Sequence, residues 1–391
     1  MGSFFRRPLV SDLDSLMPVQ GRGGLEGVVA GTTELSMVDG QNGRLTYRGY
    51  AIGELAEHAT FEEVCHLLWY GSLPTSAQLA DLTQKMTAER DIPDDVTAWL
   101  KANAATAGPM DALRTAMSML SAHDADAADD THDANLRKAL RITAKTATIV
   151  AAYKRFREGK DFVAPDASLG HAANFLYMIN GEAPDAEIAR DFDVALILHA
   201  DHGYNASTFS ARVVASSLSD IHSAVVAAIG SLKGPLHGGA NEAVMRMLAD
   251  IGDASKAAAY IEERLAKKVK IPGFGHRIYK TLDPRAPFLM SMSERLGKRA
   301  GASQWYDMST QIQQQVKQLK GLDANVDFYS ASTYTSMGIP MFVFTPIFAL
   351  ARAAGWTAHV IEQLDNNRLF RPAVDYTGPG NQAYVPLDKR G

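Results

Sequence analysis

A mainly α-helical protein is predicted by three features of the sequence. Apolar residues recur at helical spacing in long stretches. Period-two strand patterns are scarce, and a single region, residues 27–50, reads as a hairpin.

The elements follow in chain order. "MGSFFRRPLV" carries two arginines with no apolar run behind them, so it reads as neither a secretory nor a twin-arginine signal. Arg6 stands where a myristoylation pattern needs Ser or Thr. The expected location is cytoplasmic. "GVVAGTTELSMVDGQNGRLTYRGY" gives the hairpin, with "DGQNG" as its turn. "FEEVCHLLWY" puts Cys65 on an apolar helix face as a buried, inert thiol. "SAHDADAADDTHDAN", residues 121–135, reads as a solvated acidic loop; His123 and His132 match no metal-ligand spacing.

"DAEIARDFDVALILHADHG" aligns Ile188, Phe192, Ala195, Leu196 and His199 on one helix face. "NAS" at Asn205 is a chance sequon. "NEAVMRMLADIG" gives a stripe of Ala243, Val244, Met247, Leu248 and Ile251, closed by Gly252. "KIPGFGHRIYKTLDPRAP", residues 270–287, is a loop with more chemistry than a linker needs. "QWYDMSTQIQQQVKQLKG" aligns Trp305, Met308, Ile312, Val316 and Leu319, and Gly321 stops it. "PMFVFTPIFALARAAGW" is the longest apolar run; Arg352 and two prolines interrupt it, and it is short for a bilayer span.

Composition narrows the class. At 391 residues the chain is long for one core, so a large domain with a smaller one, or two comparable domains, is expected. A net charge of −5 leaves no electrostatic footprint for nucleic acid or an anionic membrane. The single cysteine excludes a disulfide framework or thiolate metal cluster. P-loop and GxSxG patterns are absent, and "GFGHRI" lacks the last glycine of GxGxxG.

Several residues stand where chemistry is plausible. His237, in "SLKGPLHGGANEA", lies among glycines just before a helix. The positive end of the macrodipole disfavours an imidazolium, yet a neutral ring still donates one N–H to a developing oxyanion. A turn with an incidental histidine is the other reading. His276 follows glycines in "PGFGHRIYK", with Arg277 and Lys280 behind it. Asp283 and Pro284 read as an N-cap and first helical position, which puts Arg285 in a first turn where a cation is disfavoured. Arg285 there either meets an anion or turns to water. Arg352, on an apolar helix, needs either a distant acid or a carboxylate ligand. Asp327 reads locally as a plain N-cap. His199 fits a satisfied core position, and His202, at the same helix end, is more available.

In order, "GLEGVVAGTTELSMVDGQNGRLTYRGY", "LHADHGYNAST", "GPLHGGANE", "PGFGHRIYKTLDPRAP", "NVDFYSA" and "RLFRPAVDYTG" resemble the citrate synthase family over nearly the whole chain. The resemblance implies a mainly helical dimer. It has a large domain, residues 1–237 and 333–391, and an inserted smaller helical domain, residues 238–332. It implies His237, His276 and Asp327 as catalytic groups. His202, Arg285 and Arg352 would hold oxaloacetate, with Arg371 contributed by the partner subunit of a homodimer. Ile271, Gly273 and Gly275 would line the coenzyme A site, and Lys280 and Asn325 would take its phosphate and pantetheine. The implied reaction joins acetyl-CoA to oxaloacetate, with no metal or redox cofactor, under closure of the small domain. 2-Methylcitrate synthase, which uses propionyl-CoA, is the near rival. A helical scaffold without activity is the rival from another class. ATP-citrate lyase needs a nucleotide-binding region for which the short N-terminus leaves no room, and insensitivity to NADH is expected on the same ground.

Overall fold

The computed structural model describes residue 25, residues 27–374 and residues 376–391. Three strands open the described chain: β1 (Ser36–Asp39), β2 (Arg44–Tyr47) and β3 (Tyr50–Ala51) form one antiparallel sheet in that order. Ser36 faces Tyr47, and Asp39 faces Arg44 across the expected turn. The Asp39 carboxylate accepts the N–H groups of Gln41 and Asn42, and Gly43 takes φ +61°, so the turn chemistry of "DGQNG" is local. The third strand is not expected from the sequence; two residues are too few to show a period.

Sixteen α-helices follow among the described residues, and mainly α is the class observed. The first ten are α1 (Ile52–His58), α2 (Phe61–Tyr70), α3 (Ser76–Ala88), α4 (Asp94–Asn103), α5 (Pro109–Leu120), α6 (His132–Arg157), α7 (His171–Asn180), α8 (Ala186–His199), α9 (Ala206–Ser216) and α10 (Ile221–Leu232). Then come α11 (Ala240–Ile251), α12 (Ala257–Ala266), α13 (Ala286–Arg299), α14 (Gln304–Lys320), α15 (Val326–Ser336) and α16 (Phe344–Asp365). Many start at side-chain caps: Thr60 and Thr75 make full capping boxes with Glu63 and Gln78, and Asp185, Asn205, Asp220 and Asn325 cap α8, α9, α10 and α15. Asn205 therefore has a structural reason that the sequon does not express.

The apolar run from residue 340 becomes α16, the central core helix. It is long and apolar enough to cross a membrane, but 89% of that stretch is buried within the protein, against α2, α6, α8, α9 and α10. Helices α11 to α15 pack chiefly on one another: α13 and α11 against α15, and α12 against α14. The stripes of α8 and α11 are largely buried as expected, but Leu319 near the end of α14 is 52% exposed. Cys65 is fully buried, as expected.

The acidic loop is not simply solvated. The Asp124 side chain is buried and forks onto Arg141, with His222 of α10 3.3 Å away, and Asp126 joins Arg137 and Arg141. Burial works against ionisation of Asp124, but the His222 and Arg141 hydrogen bonds outweigh it and hold the carboxyl far below its usual range. His132 already belongs to α6 and meets Asp365. Among the described residues no group of three or more His, Cys, Asp or Glu side chains is arranged to hold a metal ion.

Two contacts fix the segment that carries the site. Tyr47 of β2 sends its hydroxyl to the carbonyls of Ile197 and Asp201, just past α8. The buried Asp201 carboxylate accepts from Ser36, Gly203 and His359 of α16. Arg212 donates to His359 Nδ1, so the ring proton of His359 lies on Nε2, facing Asp201. The hairpin turn also braces a distant loop: Lys280 N–H donates to Gly40 O at 2.9 Å. A Cβ on Gly40 would lie 2.2 Å from the carbonyl oxygen of Ile278, so only glycine fits that approach.

Candidate active site

Two stretches remote in sequence are clamped side by side. Phe274 and Ala324 form an isolated antiparallel bridge. Gly275 N–H donates to Asp323 O at 3.1 Å, Asn325 N–H to Gly273 O at 2.9 Å, and Asn325 Nδ2 to Gly275 O at 2.9 Å. Gly273 and Gly275 hold φ +79° and +73°, and a Cβ on Gly273 would lie 2.8 Å from Phe328 and Val244. These glycines therefore set the path of the chain, and that path delivers His276 from one stretch and Asp327 from the other. Ile271 is buried at the root of the loop, and Lys280 is exposed at its far side.

His276 Nδ1 accepts the N–H groups of Ile278 and Tyr279, each at 3.1 Å. A ring nitrogen that accepts twice carries no proton, so His276 is neutral with its proton on Nε2. Burial, then Arg285, brings its pKa down to about 4. His202 is buried 5.2 Å from it, centroid to centroid, with Nε2 3.1 Å from the Tyr279 hydroxyl. Burial, then Arg285, His276 and Arg352, holds it well below the usual histidine range. His199, in contrast, gives Nδ1 to Ala195 O while its buried Nε2 has no partner among the described residues, so it is only half-satisfied.

His237 lies in the turn between α10 and α11, its N–H on Gly234 O. Its Nε2 is 3.3 Å from Ser207 N and 2.8 Å from Ser207 Oγ, so the backbone N–H makes Nε2 an acceptor and leaves the proton on Nδ1. Trp356 donates to the same hydroxyl, which fixes Ser207 in turn. Burial and Arg352 bring the His237 pKa down to about 4. The neutral form expected at the head of a helix is reached mainly by burial. One of the neighbouring glycines also has a packing reason: a Cβ on Gly238 would meet Leu232 O at 2.5 Å.

Asp327 is not the N-cap. Asn325 takes that position and accepts the Asp327 N–H, which leaves the Asp327 carboxylate unused by the helix. Its Oδ1 is sealed from solvent without a hydrogen bond among the described residues, and burial pushes its pKa up to about 6 against the pull of Arg285.

Arg285 is 2% exposed and turned inward; α13 starts at Ala286, with Arg285 itself at the cap and Asp283 ahead of the helix. Asp283 forks onto Arg285 Nε and Nη2 at 2.9 and 2.8 Å, and also accepts the N–H groups of Arg285 and Val326. Arg352 gives Nε to His199 O and lies 4.8 Å over the Phe348 ring. No acid stands at salt-bridge distance from it among the described residues; Asp201 acts on it from further away, and burial brings its pKa down to about 10. Asp283 offsets one of the two buried guanidinium groups, and Arg352, beside three neutral histidines and with no acid at salt-bridge distance among the described residues, leaves the cluster suited to an anion from outside. Arg371 is exposed and, among the described residues, bonds only Pro372 O, so it does not join this cluster in its own chain. Ser207, Tyr279, Asp283 and Trp356 belong to the site without having stood out in the sequence as members of it.

Residues 24–373 match the family described as citrate synthase, C-terminal domain. A citrate synthase of Haloferax volcanii is 52% identical over 372 residues, 94% of this chain and 98% of that protein. A 2-methylcitrate synthase of Mycobacterium tuberculosis is 45% identical, over 91% of this chain and 90% of that protein. Among solved structures, the ternary complex of carboxymethyl coenzyme A and oxaloacetate with citrate synthase from Thermoplasma acidophilum aligns with a TM-score of 0.88 at 31% identity, covering 93% of this chain and 98% of that one.

Proposed function

The chain belongs to the citrate synthase family, and from that premise we propose that it condenses acetyl-CoA with oxaloacetate and hydrolyses the citryl thioester to citrate and CoA. The observation that carries this reading is the Asp327 carboxylate, with its sealed Oδ1 unpartnered among the described residues and its raised pKa, within the fields of the buried Arg285 and Arg352. A thioester α-proton is very weakly acidic, so its removal needs a base and a held enolate. Asp327 is that base. His237 Nδ1–H steadies the enol oxygen, a role worth about 2.7–4 kcal/mol when such a donor is lost. His276 Nε2–H polarises the ketone and then protonates the alkoxide. Arg285, Arg352 and His202 hold the two carboxylates of oxaloacetate, with Arg371 reaching in from the partner of a homodimer. The loop at Ile271, Gly273 and Gly275 takes coenzyme A, with Lys280 and Asn325 on its phosphate and pantetheine. None of these steps calls for a metal or redox cofactor.

The proposed division puts residues 238–332 in a small domain that closes on the large one; α15 straddles its second boundary. A cytoplasmic enzyme of the tricarboxylic acid cycle is the setting this reading implies. Thiol release tests it: oxaloacetate with acetyl-CoA is expected to liberate CoA, and silence with both acetyl-CoA and propionyl-CoA would sink the proposal. The relative from M. tuberculosis keeps propionyl-CoA as the second reading. One methyl group is worth about 1–3 kcal/mol, so a propionyl-CoA preference beyond about tenfold in kcat/KM decides for it.

Gly273→Ala is expected to lower kcat/KM by about 10²-fold, because the left-handed backbone and the contact with Phe328 and Val244 force the His276 loop to shift. Steady-state kinetics beside a thermal melt checks it; a loss of activity no larger than the loss of folded protein counts against the loop account.

A further inference from the structure

Tyr279 touches both histidines of the oxaloacetate site, with a different group for each. Its backbone N–H donates to His276 Nδ1 at 3.1 Å, and its hydroxyl stands 3.1 Å from His202 Nε2. Its ring lies 4.7 Å from the His276 ring at 36° and 5.4 Å from the His202 ring at 76°. The side chain is 4% exposed, and the hydroxyl has no other hydrogen-bond partner among the described residues. A buried phenol proton needs an acceptor, and His202 Nε2 is the one at hand. Were Nε2 protonated instead, two donors would face each other or the phenol proton would be left unpaired.

We propose that Tyr279 is a positioning residue of this site that holds its two histidines in opposite tautomers: its N–H, with that of Ile278, keeps the His276 proton on Nε2, and its hydroxyl keeps the His202 proton on Nδ1. Burial pushes the phenol above its ordinary range, so the hydroxyl remains a donor across the working pH. His276 then offers its Nε2–H to a ketone, and His202 offers its Nδ1–H, which its own backbone carbonyl otherwise accepts, to a carboxylate. Tyr279 thereby takes part in both halves of the donor pattern that tells a keto group from its flanking carboxylate. The inference rests on the reading of the cluster as an oxaloacetate site.

Tyr279→Phe keeps the ring packing and removes only the hydroxyl. The melt is expected to stay within about 2 °C of the parent, since packing is unchanged. KM for oxaloacetate rises about tenfold, with kcat lowered less and KM for acetyl-CoA unchanged. In ¹⁵N-histidine NMR of the whole ligand-free protein, the parent shows His202 and His276 as opposite neutral tautomers, and the variant shows His202 averaging between its two. Equal tautomers in the parent, or an unchanged oxaloacetate KM in a folded variant, overturns the assignment. An absence of thiol release in the parent defeats the proposed activity instead, and the parent's NMR spectrum still decides the tautomers.

Discussion

Asp327→Asn is expected to abolish thiol release and, at neutral pH, to make the protein harder to unfold. Asparagine keeps the shape and can still lie under the Asn325 cap, but it cannot take a proton. The expected loss is about 10²–10⁴-fold, the range for a general base, with oxaloacetate binding retained. The gain in stability follows from the raised pKa. The ordinary value is 3.8 and the folded value about 6, so between them the folded protein binds more protons than the unfolded chain. Stability therefore falls as pH rises through that window, and at pH 7 the ionised carboxylate is a full burden. The neutral amide relieves that burden at pH 7 and has nothing to relieve below the ordinary value of 3.8. Melting curves of the parent and the variant at pH 7 and near the acid end check the sign; an equal difference at both pH values rejects it. In the parent, kcat/KM for acetyl-CoA rises with pH to a plateau above about 6.

What the sequence reveals divides along one line. Features made by local chemistry are legible: the hairpin turn from Asp39 and Gly43, the α8 and α11 stripes, and the stop of α14 at Gly321. His237 and His276 also stand out locally, because glycines around a histidine leave the ring without a packing reason. Features made by long-range pairing are not legible. Asp124 reads as solvated because Arg141 and His222 lie on helices the loop has yet to meet. Asp283 reads as a cap because its hydrogen bond to Val326 N spans 43 residues. Ser207 and Tyr279 are ordinary residues until folding sets them against His237 and His202, across 30 and 77 residues. Asp327 shows both sides: its place at the head of a helix is legible, but only the structure shows Asn325 capping in its stead.

That substitution of caps makes Asp283 the natural counterpart of Asp327, and Asp283→Ala is expected to cost about 3–5 kcal/mol, the usual loss when one partner of a buried ion pair is removed. Both members are nearly sealed, Asp283 at 1% and Arg285 at 2% exposure. Without the carboxylate, the guanidinium is stranded and the Val326 N–H at the head of α15 loses its acceptor. Here the linkage runs the other way. Burial raises the Asp283 pKa, but Arg285 overrides it and holds the folded value below 3.8. Its stabilisation is thus full above the unfolded pKa and lost as pH falls through the folded one, so the penalty of Asp283→Ala is whole at pH 7 and shrinks in strong acid. Adding Arg285→Met to that variant removes the stranded charge, so much of the melting temperature returns while oxaloacetate binding does not. If the double variant melts as low as the single one, the defect lies in the Val326 N–H that lost its acceptor and not in the unpaired arginine. Two carboxylates flank the same helix end: Asp283 is ionised because an arginine and two backbone N–H groups hold it, and Asp327 is basic because burial outweighs the pull of Arg285 and no hydrogen bond reaches its Oδ1 among the described residues.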